Sequence, residues 1–192
     1  MNQEMAAFFD RLAPDWDSAP RNHEKLEMLA SLMGLPENGV VADIGCGKGC
    51  LFEHLLKTHP AKILAVDVSG EMIRLAKERH VDDRIAYIHG DFLDIAPPML
   101  DAAVFFNSYP HFLDKEDLVQ KLSTILQKGG ILIIAHDRSR AEINGTHEGD
   151  PVSRLSVPLD NAEAEARKFR KFFTADALID NKEMYLIKMK RR

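Results

Sequence analysis

Apolar residues recur at helical spacing twice near the start of the chain, then give way to short continuous apolar runs. Met5, Phe8, Phe9 and Leu12 share one helical face, and Leu26, Leu29, Ala30 and Met33 share another. Pro14 and Pro20 separate the two. Gly34, Pro36 and Gly39 close the second helix and release the chain into residues 40–44, VVADI, which read as a fully buried strand. From there strands and helices alternate. The pattern predicts a helix over 51–58, a strand over 62–68 and a helix capped by Ser69 that runs through Arg79 with Met72, Ile73 and Ala76 inward. A third strand follows over 84–89 and a fourth over 101–107. Leu118, Leu122, Ile125 and Leu126 mark the inward face of a helix over 114–128, which Gly129-Gly130 is expected to stop before a fifth strand over 131–136. Alternation of this kind implies a parallel sheet covered on both faces. The end of the chain breaks it: a helix over 161–170 precedes two strands, 173–179 and 184–190, joined by Asp180-Asn181-Lys182 as an antiparallel hairpin.

Composition narrows the class of partner. The chain has 192 residues, 45% hydrophobic and 29% charged, the profile of one globular domain able to bury its own core. No apolar run approaches the roughly 20 residues that span a bilayer, and the acids of MNQEMAAFFDRLAPDWD stand where a signal peptide needs an apolar stretch. The expectation is a cytoplasmic protein with no membrane segment. A net charge of -5 makes nucleic acid an unexpected partner, so the basic groups Arg167, Lys168, Arg170 and Lys171 read as a solvated face and Lys188, Lys190, Arg191 and Arg192 as a frayed end. Cys46 and Cys50 form no disulfide framework and are too few for a structural zinc site; they read as small buried thiols.

The candidate chemistry begins at VADIGCGKGC, residues 41–50. Ligands of open parallel sheets bind beyond the carboxyl ends of the strands, so the turn after the first strand is the expected site. A phosphate loop is excluded, because Lys48 is followed by Gly49 and Cys50 and no hydroxyl is placed to hold magnesium. A dinucleotide fingerprint fits poorly, since the glycines fall at 45, 47 and 49 and Cys50 takes the sixth position. Asp43, two residues before Gly45, can accept from an ammonium, and the backbone N–H groups after the turn can receive a carboxylate. Asp67 ends the second strand, where an acid can accept both hydroxyls of a ribose. Asp91 follows the third strand, placed to accept from an adenine amino group, with Phe92 beside the ring. Each acid taken alone also has an ordinary role, capping a turn or the next helix.

In this order and spacing, VADIGCGKG, AVDVS, HGDF and the terminal hairpin closely resemble the class I S-adenosylmethionine-dependent methyltransferases, over residues 38 to 192. The resemblance implies an α/β, Rossmann-like, doubly wound sheet of seven strands in the order 3-2-1-4-5-7-6 with the last strand antiparallel. It implies a single domain, with residues 1–35 as an N-terminal helical lid and 38–192 as the cofactor-binding core. S-adenosylmethionine is the implied cofactor. Asp43, Gly45, Cys46 and Gly47 are assigned to its methionine end, Asp67 to the ribose, and Asp91 with Phe92 to the adenine; Val68, Met72, Asn107 and Trp16 complete the cofactor set. Lys48 departs from the family pattern, which has a small or hydroxyl residue there.

Methyl transfer from a sulfonium is an in-line displacement that chiefly requires alignment and exclusion of water. The acceptor pocket is expected beside FFNSYPHF (105–112) and AHDRSRAEINGTHEGD (135–150). Asn107-Ser108-Tyr109-Pro110 departs from the Asn-Pro-Pro-Tyr of adenine and glutamine-amide methylating relatives and argues against those acceptors. His111, His136 and His147 are the candidate catalytic residues on the acceptor side, able to deprotonate a thiol, hydroxyl or amine. With Asp137 or Glu148 they could instead hold a metal, although no metal is assigned. A small-molecule acceptor is the leading reading. A methyltransferase of RNA or protein and a non-catalytic S-adenosylmethionine or nucleotide binder are the alternatives.

Overall fold

The computed structural model describes residues 3–18, 22–149 and 151–192. Pro20, expected to part the first two helices, and Asp150, at the end of the expected acceptor loop, lie outside the described residues. Helices α1 (Gln3–Leu12) and α2 (His23–Met33) come first. Asn22 caps α2 by accepting from Lys25 N, and Gly34 ends it in the left-handed conformation that glycine adopts without a steric penalty. Leu26, Leu29, Ala30 and Met33 are buried, as their spacing predicts.

The sheet is built from β1 (Val40–Ile44), β2 (Lys62–Asp67), β3 (Ile85–His89), β4 (Leu100–Phe106), β5 (Leu126–His136), β6 (Phe173–Asp180) and β7 (Tyr185–Arg191), in the order 3-2-1-4-5-7-6. β1 to β5 pair in parallel, and β7 runs antiparallel to both β5 and β6. Alternation along the strands divides the core into two layers. Ala42, Ile44, Leu64 and Val66 face one apolar cluster, while Val41, Ile63, Ala65 and Val104 face the other. Both faces are buried, which is why the middles of β1, β2 and β4 read as apolar runs with charged residues only near their ends.

Between the strands lie α3 (Phe52–Leu56), α4 (Gly70–Arg79), α5 (Lys115–Ile125), α6 (Arg140–Thr146) and α7 (Ala162–Lys168). α4 starts at its expected cap, with Ser69 Oγ accepting from Met72 N, and buries Met72, Ile73 and Ala76. α3 is shorter than the expected 51–58. α5 ends at Ile125 rather than at the glycine pair, because Leu126 already pairs with Leu100 in the sheet. Gly129 and Gly130 therefore lie inside β5, beside the irregularity between Leu100 and Ala102, and Gly129 takes a φ of +81. The pair kinks a strand instead of stopping a helix. The segment that follows β5, for which the sequence pattern predicts no helix, contains α6. Its capping box, Ser139 with Glu142, was present in the sequence. The basic tail is not frayed either: Lys188, Lys190 and Arg191 lie in β7, both lysines face Asp176, and Arg191 Nε donates to Ser123 O at 2.9 Å.

α7 anchors the turn after β4 through a buried acid. Glu165, 1% exposed, accepts from the Tyr109 hydroxyl at 2.6 Å and from Lys168 Nζ at 3.0 Å. Glu165→Ala is expected to cost about 2 kcal/mol in urea unfolding, chiefly because the Tyr109 hydroxyl loses its acceptor in a buried site. Adding Tyr109→Phe should recover part of that loss; a fully additive double variant would show that the pair is not coupled.

Candidate active site

The carboxyl ends of β1, β2 and β4 open into a cavity of about 810 Å³, which β3 and β5 also border through Gly90, Asp91 and His136. On one side is the glycine turn. Gly45 N and Cys46 N donate to Val66 O at 2.8 and 3.1 Å, folding the chain back over the end of β2. Gly45 has a φ of +73, and a Cβ there would stand 2.4 Å from Ser108 Cβ. Ser108 cannot retreat easily, because its Oγ donates to Ile44 O at 2.5 Å. Gly47 has a φ of +54 but no close neighbour; a Cβ there would make only an ordinary contact, with Trp16 Nε1 at 3.7 Å. Open backbone at that point can meet a ligand closely.

Three acids stand around this turn. Asp67 is buried and accepts from Gly47 N at 2.8 Å and Ser69 N at 2.9 Å. Burial raises its pKa to about 6 in spite of those two N–H bonds. Asp43 is more strongly affected: burial, with the Asp67 charge added, raises it to about 7. A carboxyl held in so dry a place is suited to a cation that would offset its charge. Asp91 lies after β3, and Leu93 N donates to its Oδ1 at 3.1 Å. Phe92 packs edge-on against Phe105 and Phe112, 3% exposed, at the cavity wall. Burial pushes the Cys46 thiol upward, which fits a small apolar residue; Cys50 is only partly buried.

The N-terminal segment crosses the cavity and is tied down at two points. Asp10 Oδ1 accepts from Ser69 Oγ at 2.6 Å and from Glu71 N at 3.0 Å, fastening α1 to the start of α4. Lys48, buried within the glycine turn, donates to Ala13 O at 2.8 Å and Pro14 O at 3.3 Å and lies 3.4 Å from Asp17. Asp17 also pairs with Arg79. Phe9 then sits edge-on to Trp16 and to His111. The departure at Lys48 from the family pattern thus has a structural use.

The opposite side is formed after β4 and β5. Asn107 holds a left-handed backbone, φ +54, an uncommon state that asparagine tolerates better than most residues. Its side chain donates to Asp137 Oδ1 at 3.0 Å, bridging the ends of the two strands. His111, His136 and His147 gather here, with the rings of His111 and His147 4.9 Å apart.

The residues assigned to the cofactor and to catalysis all border this one cavity: Asp43, Gly45, Cys46, Gly47, Asp67, Val68, Met72, Asp91, Phe92 and Trp16, with Asn107 and the three histidines on the side formed after β4 and β5; Glu148, named with Asp137 as a possible metal partner, is not part of its lining. Sequence reasoning missed Asp10, Ser108 and the tie made by Lys48, since each depends on contacts between residues at least 34 apart in sequence. Among the described residues no group of three or more His, Cys, Asp or Glu side chains is arranged to hold a metal ion. No helix among them is long and apolar enough to cross a membrane.

A nucleoside-binding α/β domain of the doubly wound class is what this sheet and turn define. The family profile described as a methyltransferase domain matches residues 42–134. The chain is 30% identical over 120 residues to the erythromycin 3''-O-methyltransferase of Saccharopolyspora erythraea, covering 59% of this chain and 39% of that one. It is 31% identical over 129 residues to a trans-aconitate 2-methyltransferase of Rhodopseudomonas palustris, covering 62% and 49%. The chain therefore spans two-fifths to half the length of these curated relatives. Its fold is similar to a chain of a Haloferax volcanii complex containing the Trm112 methyltransferase activator, with a TM-score of 0.80, 17% identity and coverage of 95% and 97%. Residues 42–134 thus match a methyltransferase domain, carried on the seven-stranded sheet that the resemblance to the class I S-adenosylmethionine-dependent methyltransferases implies.

The two glycines should respond differently to substitution. Gly45→Ala combines a left-handed backbone with a collision against Ser108 and is expected to cost about 3 kcal/mol or more. Gly47→Ala meets only the backbone penalty, about 1 kcal/mol, and should fold normally. Chemical denaturation of both variants checks the contrast; equal losses would contradict it.

Proposed function

We propose that the protein transfers the methyl group of S-adenosylmethionine to a small-molecule acceptor by in-line displacement. The observation that carries this reading is the alignment of Asp43, Asp67 and Asp91 at the ends of three neighbouring strands on one cavity, beside a glycine turn with open backbone. Asp43 holds the methionine ammonium, with Gly45, Cys46 and Gly47 giving close backbone approach. Asp67 receives the ribose hydroxyls, with Val68 and Met72 beside it. Asp91 takes the adenine amino group and Phe92 flanks the ring. Asn107 and Trp16 close the methionine side. The bound cofactor supplies an electrophilic methyl group; the chain aligns the acceptor and excludes water.

Residues 1–35 act as a lid over a core formed by 38–192, a reading supported by the ties through Asp10 and Lys48 and by Phe9 and Trp16 on the cavity. Relatives named for erythromycin and trans-aconitate support a small acceptor. A methyltransferase of RNA or protein working with an activator is the second reading, prompted by the Trm112-containing neighbour. The N-terminal segment lying across the cavity favours the small acceptor. Calorimetry with S-adenosylhomocysteine and with NADH tests the cofactor assignment, and preferential binding of NADH would overturn it. Methyl transfer measured against panels of small acceptors and of RNA or protein separates the first two readings.

Asp43 gives this function a pH dependence of definite sign. In the unliganded protein its pKa is raised from 3.8 to about 7, so stability falls as pH rises through that interval. Cofactor binding needs the ionised form, so affinity changes the other way. S-adenosylhomocysteine should bind about tenfold more weakly at about pH 6 than at about pH 8, and Asp43→Asn should bind weakly at both. A flat profile in the parent protein would remove Asp43 from the ammonium.

Lys48→Met tests the lid. Dissociation of S-adenosylhomocysteine is expected to quicken about tenfold while the thermal midpoint of the unliganded protein changes little. A large fall in that midpoint, with unchanged dissociation, would make the segment packing only.

A further inference from the structure

The side of the cavity formed after β4 and β5 has chemistry that the cofactor does not use. His136 is 1% exposed, and its Nε2 has no hydrogen-bond partner among the described residues; the same is true of His147 Nδ1. The His111 ring is fixed by a 2.8 Å contact of Nδ1 with Leu155 O, which as a hydrogen bond makes Nδ1 the donor and leaves Nε2 as the lone-pair nitrogen. Unpaired polar atoms in a buried wall are costly unless something polar meets them.

Two basic side chains act on these rings: Arg138, which is exposed, and Lys115, which burial lowers to about 7 and which donates to Tyr109 O on the side of Glu165. His147 and Lys115 act on His111, Arg138 acts on His147, and His147, Arg138, His111 and Lys115 act on His136. Across the sheet His136 faces the ring of Tyr185 at 6.0 Å, and α1 sets the Phe9 ring against His111. Asp137, the nearest acid in sequence, bonds with Asn107. Burial lowers His111 to about 4 and His136 to about 3, and lowers His147 as well. Imidazoles so depressed are weak bases near neutral pH, and a catalytic histidine base is ordinarily supported by a carboxylate on its other nitrogen. The cluster is poorly made for taking a proton from a hydroxyl or thiol. It is well made for a group that arrives already ionised.

We propose that this end of the cavity is an anion subsite and that the methyl acceptor is a carboxylic acid held there by its carboxylate. The inference rests on the methyltransferase reading above. A carboxylate oxygen attacks the methyl carbon with a lone pair; the C–O bond forms as the C–S bond breaks, and the electron pair of that bond goes to sulfur. Sulfonium and carboxylate charges cancel, leaving a methyl ester and S-adenosylhomocysteine, and no proton moves. Imidazole N–H groups and Arg138 supply the charge-assisted hydrogen bonds that position the acid.

Acetate is small enough to probe the subsite whatever the body of the natural acceptor. The whole protein, saturated with S-adenosylhomocysteine, is titrated with acetate and, separately, with acetamide, while the imidazole Cε1–H resonances are followed by NMR at constant ionic strength. Acetate should shift the resonances of His136 and His147, and calorimetry in buffers of different ionisation enthalpy should show proton uptake; acetamide should do neither. Combined Arg138→Gln and His147→Gln should weaken the acetate response about tenfold without changing affinity for S-adenosylhomocysteine. Absence of an acetate response, or an equal response to acetamide, overturns the anion subsite. Failure of S-adenosylhomocysteine to bind at all would overturn the methyltransferase reading itself.

Discussion

A parallel sheet covered on both faces has only its strand ends for chemistry, and the architecture follows from that constraint. Along β1 and β2 every position but the first is buried, so charged residues are confined to the ends of these strands. Asp67 ends β2, Asp43 is the last residue of β1 but one, and Asp91 follows the end of β3. The cost of drying the first two carboxyls is visible in their raised pKa values. The glycine turn is built around them: Gly47 N donates to Asp67, and Ser108 closes on Gly45 from the neighbouring strand end.

The cavity is electrostatically divided. Buried acids stand at the glycine turn, whereas imidazoles stand across from them after β4 and β5. Each group is held away from its preferred ionisation by the same low dielectric, acids upward and imidazoles downward. Local satisfaction has been sacrificed on both sides, as is common where a ligand is meant to complete the network.

The sheet was legible because its signals are local: apolar runs, the alternation of elements, and turn residues before the final hairpin. The strand-end acids and the glycines were legible for the same reason, each lying within a few residues of a strand end. What failed were the places where sheet pairing overrules a local signal. Gly129-Gly130 has the form of a helix stop, yet Leu126 is drawn into register with Leu100 before the pair is reached. Lys188 and Lys190 look like a solvated tail, yet Asp176 on the adjoining strand gives them partners. α6 is a different case, since its Ser139–Glu142 capping box is a local signal present in the sequence. Ser108, Asp10 and Lys48 carried no local sign at all, because their partners come from distant segments.

Lys48 joins the glycine turn to the segment that follows α1 through an ammonium group almost closed off from water. A small outward slip of residues 13–17 would strip that charge of its carbonyl acceptors before solvent could reach it, and such a stranded charge costs several kcal/mol. Intermediate positions are therefore the expensive ones. The contacts of Lys48 thus hold residues 13–17 against the turn by a cost that even a partial displacement would incur.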